Sequence, residues 1–265
     1  MGDCERTMNE IRVGGRIDLA GKVAFVSGAS RGIGRAIAVA LAEAGADLAL
    51  TGRVSESLRR VVVNARQHGV QVWYKTAELA DETAVQRLGQ EALNEYGNVD
   101  ILVNNAGLAF PQPIMNTGLK EWHTSLNVNA LAPLLLTQAF GSGMIKRRSG
   151  KIVNVTSRAG LSALNGHAAY SASKAALHLL TQTMAVELGP HGIQANCIAP
   201  TVILTDMAKA VWGHGAHTDA KLARIPVGRF GLPAEVAELA VFLASPLSDF
   251  INGTIIPVDG GEGAW

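Results

Sequence analysis

Only two cysteines, Cys4 and Cys197, stand among the 265 residues, too few and too far apart for a disulfide framework or a zinc site. A reducing cytoplasm suits such a chain, and Cys197, inside a strand-like run, reads as a small core residue. An excess of one charge is also missing. Lys and Arg number 23 against 22 Asp and Glu, a net +1, which offers no footprint for nucleic acid or a membrane surface. The one basic cluster, Lys146-Arg147-Arg148, falls where a helix should end and there complements the helix dipole. No apolar run approaches the ~20 residues of a membrane span, and Met1 to Ile17 is polar, without the apolar core of a signal peptide. With no internal repeat and no linker-like stretch, one large domain is expected from about residue 19, behind a flexible tail over residues 1–18. Glycine, by contrast, is plentiful, with 29 in all beside 48% hydrophobic and 17% charged residues. That balance fits a globular enzyme with many tight turns rather than a disordered chain.

The first glycine cluster has a defined setting. Lys22-Val23-Ala24-Phe25-Val26-Ser27 is a short apolar strand, followed at once by Gly28-Ala29-Ser30-Arg31-Gly32-Ile33-Gly34 and an Ala-rich amphipathic helix to Ala44. Strand, glycine loop and helix in that order suit a dinucleotide. The glycines let the backbone approach a pyrophosphate, and the helix N-terminus offers free N–H groups and a positive dipole end. Gly28, Ser30, Arg31, Gly32, Ile33 and Gly34 are therefore expected at the cofactor. The second strand, Asp47 to Thr51, ends at Gly52-Arg53. A fold of this kind that selects NAD places a carboxylate at that end, and one that selects NADP places an arginine. Asp47 is at the wrong end of the strand. Arg53 and Arg31 together favour NADP over NAD, although each taken singly reads equally well as a solvated surface charge.

A helix is expected over Ser55 to His68, a strand over Val70 to Lys75, and a helix from Asp81 to Tyr96, capped by Asp81 and striped by Ala84, Val85, Leu88 and Leu93. The strand Val99 to Val103 runs into Asn104-Asn105-Ala106-Gly107. Amides there can tie neighbouring strand ends together, and Gly107 lets the backbone pass under a flat ring; a plain turn is the alternative. A long helical stretch follows from about Leu119 to Lys146. Asn129, four residues before Pro133, sits where the proline ring displaces its carbonyl from the normal helical bond. That frees a carbonyl to hold water, or else marks an exposed polar residue at a kink.

Lys151 to Thr156 reads as a buried strand, placing Ser157 at its C-terminal end. Beyond it, Tyr170 and Lys174 are four apart, so on a helix they share a face. A phenol has an ordinary pKa of about 10, and an ammonium nearby favours its phenolate, as a general acid and base near neutrality needs. A strand over Ile193 to Ala199 ends at Pro200-Thr201. From Val202 to Phe230 no clean period appears, so the span is either disordered or a functional lid, here taken as 201–230. Trp212, His214 and His217 within it suit a polar substrate. His214, His217 and Asp219 have the letters of a metal site without a rigid scaffold, so no metal is expected. Pro233 opens a last helix to Ala244, and Thr254 to Val258 forms a last strand.

Strands and helices thus alternate about seven times, the pattern of an α/β fold with a single Rossmann-type, doubly wound parallel sheet and helices on both faces, ligands lying at the carboxyl ends of its strands. With the glycine loop, Asn104-Asn105-Ala106-Gly107, Ser157, Tyr170 and Lys174 together, the sequence resembles the short-chain dehydrogenase/reductase family from about residue 19 onward. By that resemblance Tyr170 is the acid and base, Lys174 lowers its pKa and holds the nicotinamide ribose, Ser157 orients the substrate carbonyl, and Asn129 is the fourth catalytic position. The resemblance also implies cofactor contacts at Asn105, Ala106, Gly107, Pro200, Ile203 and Thr205, and a homotetramer in which the helices over 119–146 and 170–188 pair between subunits.

Three positions depart from the family pattern: Ser27 for threonine, Glu78 for aspartate and Thr201 for glycine. Pro200-Thr201-Val202, Thr205-Asp206-Met207, Ala223-Arg224-Ile225-Pro226 and Gly228-Arg229-Phe230 resemble the branch containing L-xylulose (dicarbonyl) reductases and bacterial sugar or polyol dehydrogenases. The expected activity is hydride transfer between NADP(H) and a secondary alcohol or ketone, of a sugar or polyol first. A 3-oxoacyl-thioester reductase sharing the same tetrad is the second expectation. A non-enzymatic nucleotide sensor would show a damaged tetrad, and all four positions are filled.

Overall fold

The computed structural model describes residues 17–205, 208, 212 and 215–264. The tail expected to be flexible lies outside the described residues up to position 16. Seven strands form one sheet: β1 (Val23–Val26), β2 (Asp47–Gly52), β3 (Val72–Thr76), β4 (Ile101–Asn104), β5 (Gly150–Val155), β6 (Ile193–Pro200) and β7 (Ile255–Val258). Their order is β3-β2-β1-β4-β5-β6-β7, and every pairing is parallel. β1, β4 and the middle of β5 are buried on both faces. Their residues therefore run apolar without alternation, as a sheet covered on both sides requires.

The chain turns back between β1 and β4, and the carboxyl ends flanking that turn hold Gly28 and Asn105. This is the crevice where doubly wound sheets bind ligands. One face is covered by α1 (Gly32–Glu43), α2 (Ser55–Arg66) and α8 (Pro233–Ala244), packed through Ile37, Leu41, Leu58 and Val241. The other is covered by α3 (Glu82–Tyr96), α5 (Ala132–Arg147) and α6 (Ala168–Leu188). There Phe25 of β1 meets Phe140 of α5 with ring centroids 5.0 Å apart. Asp81 caps α3 as expected, its Oδ1 accepting from the N–H groups of Thr83 and Ala84 at 2.9 and 3.2 Å. Val85 and Leu88 of the expected stripe are buried, joined by Gly89 and Ala92, while Leu93 packs half-buried against the same core and Ala84 is half-buried. A Cβ on Gly89 would stand 2.7 Å from that of Ala139, so α3 and α5 approach closely at that turn.

Two expectations need correction. The helical stretch expected from about Leu119 to Lys146 is present and begins as α4 (Leu119–Leu126). It passes through a π turn, Asn127–Leu131, in which the Ala132 N–H reaches back to the Asn127 carbonyl, and continues as α5. The extra residue in that turn absorbs the misfit that Pro133 imposes, as π bulges do. Leu119 to Arg147 is consequently one helix of 29 residues, long and apolar enough to cross a membrane, contrary to the expectation that no run approaches that length. Half of its most apolar window is buried inside the fold, as in the core helix of a sheet protein. In addition, the span without clear period holds a short helix, α7 (Ala216–Leu222). His214, the first member of the metal group weighed above, lies outside the described residues.

Candidate active site

The glycine loop is shaped by close contacts. Gly28 and Gly32 have φ of 66° and 56°, backbone that side chains with a Cβ rarely adopt. A Cβ on Gly28 would stand 2.8 Å from Ala106 Cα, and one on Gly34 would stand 2.3 Å from both the Gly28 carbonyl oxygen and Asn105 Nδ2. Arg31 occupies the N-cap of α1 without a side-chain cap, and no acid lies in the first turn. The N-terminal N–H groups therefore face outward with no carboxylate competing for them. At the end of β2, a Cβ on Gly52 would stand 3.1 Å from the Ser30 side chain, which brings Arg53 to the loop. Arg31 and Arg53 are both exposed. The hydroxyl of Thr51, buried beside them, has no partner among the described residues. A cradle that a Cβ would fill, free helix N–H groups and an orphan hydroxyl fit a dinucleotide phosphate and ribose.

The amides ending β4 tie the strand ends together. Asn104 Nδ2 donates to Asn154 Oδ1 at 2.8 Å, and Asn105 Nδ2 donates to the carbonyls of Ser27 and Gly28 at 3.1 and 3.2 Å. Ser27 Oγ accepts from the N–H groups of Asn105 and Ala106, both at 3.1 Å. The hydroxyl common to serine and threonine is what that position uses. Glu78 is exposed and accepts from the Ala80 N–H at 3.2 Å. A Cβ on Gly107 would stand 3.2 Å from Lys174 Nζ and 3.5 Å from Asn129 Oδ1. The same three-residue turn therefore touches the glycine cradle on one side and the lysine on the other.

Tyr170 and Lys174 lie on α6, the amine 5.8 Å from the centroid of the phenol ring. Lys174 is buried and donates to the Val155 carbonyl at 3.0 Å. The Ser157 hydroxyl stands close enough to the Tyr170 phenol to pull its pKa downward. Burial pushes the phenol above its ordinary value, Ser157 pulling weakly the other way, and the same burial lowers Lys174 to about 8. The expectation that the ammonium lowers the phenol is therefore not met by these two groups alone. Nζ is held at Val155 rather than at the phenol oxygen, and desolvation outweighs its field.

Asn129 is wholly buried, so it is not the exposed polar residue at a kink. Its Oδ1 accepts from the Leu108 N–H at 3.0 Å, and its Nδ2 donates to the Leu108 carbonyl at 2.9 Å and to Ser173 Oγ at 2.8 Å. Thr205 reaches the cradle, its Cγ2 lying 2.9 Å from where a Cβ on Gly32 would stand, while Pro200 ends β6 and Ile203 is buried behind it. The glycine loop, Asn105 to Gly107, Asn129, Lys174 and Thr205 meet near the carboxyl ends of β1, β4 and β5.

The family model described as Enoyl-(Acyl carrier protein) reductase matches residues 28–262. L-xylulose reductase of Bos taurus is 41% identical over 244 residues, covering 92% of this chain and 97% of its own length. This chain belongs to the short-chain dehydrogenase/reductase family. It is an oxidoreductase of that family, whose members use nicotinamide dinucleotides. A 3-oxoacyl-[acyl-carrier-protein] reductase of Aquifex aeolicus is 39% identical, covering 92% of this chain and 98% of the relative. Among solved structures, a gluconate 5-dehydrogenase from Burkholderia cenocepacia, in complex with NADP and tartrate, superposes with a TM-score of 0.88 at 34% identity, covering 94% of this chain and 98% of that one.

Sequence reasoning missed two groups at this family site. His178 is buried on α6, and a lone histidine letter gives no hint of that. Glu262 accepts from the Thr201 hydroxyl and pairs with Lys221 of α7 at 2.5 Å. The unusual Thr201 was a visible signal, but its partner lies 61 residues away.

Proposed function

We propose that this enzyme transfers hydride between NADP(H) and a secondary alcohol or ketone of a sugar or polyol. The observation that carries the proposal is the turn Asn105 to Gly107, which packs against Gly28 and Lys174 at once and so sets the cradle beside the phenol and the amine. Gly28, Ser30, Gly32, Ile33 and Gly34 would hold the pyrophosphate side of the cofactor. Arg31 and Arg53, exposed at the end of β2 with no acid between them, would meet a 2′-phosphate. Asn105, Ala106, Pro200, Ile203 and Thr205 would line its nicotinamide half. The cofactor supplies or accepts the hydride.

In the reducing direction Ser157 hydrogen-bonds the carbonyl oxygen, and Tyr170 gives that oxygen its proton as the carbon receives hydride. Oxidation reverses both transfers. Lys174, charged below about pH 8, stands next along the helix to resupply the proton, and Asn129 holds the Leu108 backbone and Ser173 beneath it. Residues 201–230, including α7, would act as the lid over the substrate. Kinship with a xylulose reductase and a gluconate dehydrogenase supports the polyol class. The acyl-carrier-protein reductase relative supports a thioester as the second class. The buried unpaired thiol of Cys197 suits a reducing cytoplasm. The exposed apolar side chains of Leu119, Leu179 and Val186 on α4 and α6 suit pairing of these helices in a homotetramer.

A panel of ketoses and polyols against an acetoacetyl thioester, each with NADPH or NADH, tests this function. The expected result is a higher kcat/KM for a ketose with NADPH, from protein that light scattering sizes as four chains. Preference for the thioester, better use of NADH, or a monomer would each retire the corresponding part.

A further inference from the structure

Neither hydride transfer nor cofactor binding gives His178 a task, yet the histidine is buried to 4% exposure. It lies on α6 one turn beyond Lys174, on the helix face that also carries Tyr170. Its Nε2 is 2.7 Å from Thr156 Oγ1. That hydroxyl donates to the Ile198 carbonyl at 2.9 Å, which leaves it to accept from the ring N–H. The backbone of Gly160 packs against the same ring and works to raise its pKa. Nothing larger than glycine fits at that contact: a Cβ on Gly160 would stand 2.8 Å from His178 Cε1 and 2.8 Å from the carbonyl carbon of Lys174.

Thr156 and Gly160 bracket Ser157. Thr156 directly precedes the serine, and the Gly160 N–H donates back to the Ser157 carbonyl at 3.0 Å. The Ser157 hydroxyl closes the turn by accepting from the Ala159 N–H at 3.1 Å. One imidazole thus joins both sides of the serine turn to the helix that bears the phenol and the amine.

We infer that His178 is a positioning residue for the reaction, holding the Ser157 hydroxyl at the Tyr170 side chain by bonding Thr156 on one side of the serine and packing on Gly160 on the other. A displacement of a catalytic group by about 1 Å costs on the order of 100-fold in rate, so a rigid link between turn and helix has a direct kinetic value. A polar ring bonded to Thr156 and packed on Gly160 specifies one arrangement, whereas an apolar filler of the same volume leaves the turn free to shift. Burial holds the imidazole below its ordinary pKa, against the pull of Gly160 and with help from the charge of Lys174. It therefore stays neutral and serves as a fixed donor rather than as a second cation beside the amine.

The inference rests on Ser157 acting at the substrate oxygen, and a double-mutant cycle in the full chain separates the two ideas. Ser157→Ala, His178→Leu and the pair together are compared with wild type for kcat, KM and NADPH dissociation constant, with His178→Gln as the variant that keeps a hydrogen-bonding side chain. His178→Leu is expected to lower kcat about 10- to 100-fold with NADPH affinity changed less than about 2-fold, and His178→Gln to recover most of the loss. In the Ser157→Ala background His178→Leu should cost less than about 2-fold. An equal loss in both backgrounds would mean that the histidine acts through the fold at large and would overturn the inference, as would an unchanged kcat. If Ser157→Ala alone leaves turnover intact, the serine's role falls and the inference falls with it, an outcome recognisable from the single variant. Should His178→Leu fail to fold, Thr156→Val removes the receiving hydroxyl and leaves the ring in place. It is expected to show the same coupling to Ser157, and additivity there would overturn the inference equally.

Discussion

At Tyr170 and Lys174 burial acts on two neighbouring groups in opposite senses. It holds the phenol protonated above its ordinary value and loosens the proton of the amine to about 8. Tyr170 is thereby kept a donor, and Lys174 becomes the group whose charge changes near working pH. In carbonyl reduction the phenol must be resupplied after each proton transfer, and Lys174 carries that proton below about pH 8 but not above it. Reduction is therefore expected to slow as pH rises through about 8 while alcohol oxidation accelerates, measured as kcat profiles from pH 6 to 10. A reduction rate flat across that range would contradict the assignment. The spacing of Tyr170 and Lys174 was legible in the sequence because helical period alone puts them on one face. The sign of the effect on the phenol was not legible, because desolvation depends on which distant strands close over the pair. His178 was hidden for the same reason, since its partners Thr156 and Gly160 become neighbours only when β5 packs on α6.

Among elements, the legible ones carry their own punctuation: apolar strand, glycine loop and helix at β1 and α1, and the Asp81 cap of α3. The π turn was half legible. Asn129 and Pro133 announced a disturbance, but its form, a π turn with Asn129 bonded to Leu108 and Ser173, was not legible. α7 was not legible at all, because seven residues make too short a period and its anchor is remote. Lys221 of α7 pairs with Glu262, whose side chain is 4% exposed. Burial works to raise that carboxyl, but Lys221, Thr201 and Arg158 together hold it below its ordinary value. Lys221→Met leaves this carboxylate without its closest cation, and breaking a buried pair generally costs about 3 kcal/mol or more. The segment that α7 belongs to should then open more often, so limited proteolysis within residues 203–230 is expected to speed up by roughly 10-fold or more. An unchanged cleavage rate would show that the pair does not hold α7 down.

On the scale of the whole molecule, the parallel sheet converts sequence order into a meeting place. Gly28 and Asn105, 77 residues apart, become neighbours because β1 and β4 pair across the point where the winding reverses. β5 then delivers Ser157 and the Val155 carbonyl that holds Lys174. Alternation of strands and helices foretold this architecture, and with it the strand ends where the glycine loop, Asn105 to Gly107 and Ser157 lie. The proposed subunit pairing and lid are weakly legible in the sequence, since both would depend on surfaces rather than on periodic burial. The central claim is that Tyr170 moves the proton that accompanies hydride at this meeting place. Tyr170→Phe, which deletes one oxygen from a ring that keeps its packing, tests it most directly when turnover and NADPH binding are measured on the same preparation. The account predicts a fall in kcat of roughly 100-fold or more with NADPH affinity within about 3-fold of wild type. Retention of more than a few per cent of wild-type turnover, with the cofactor bound normally, would contradict it.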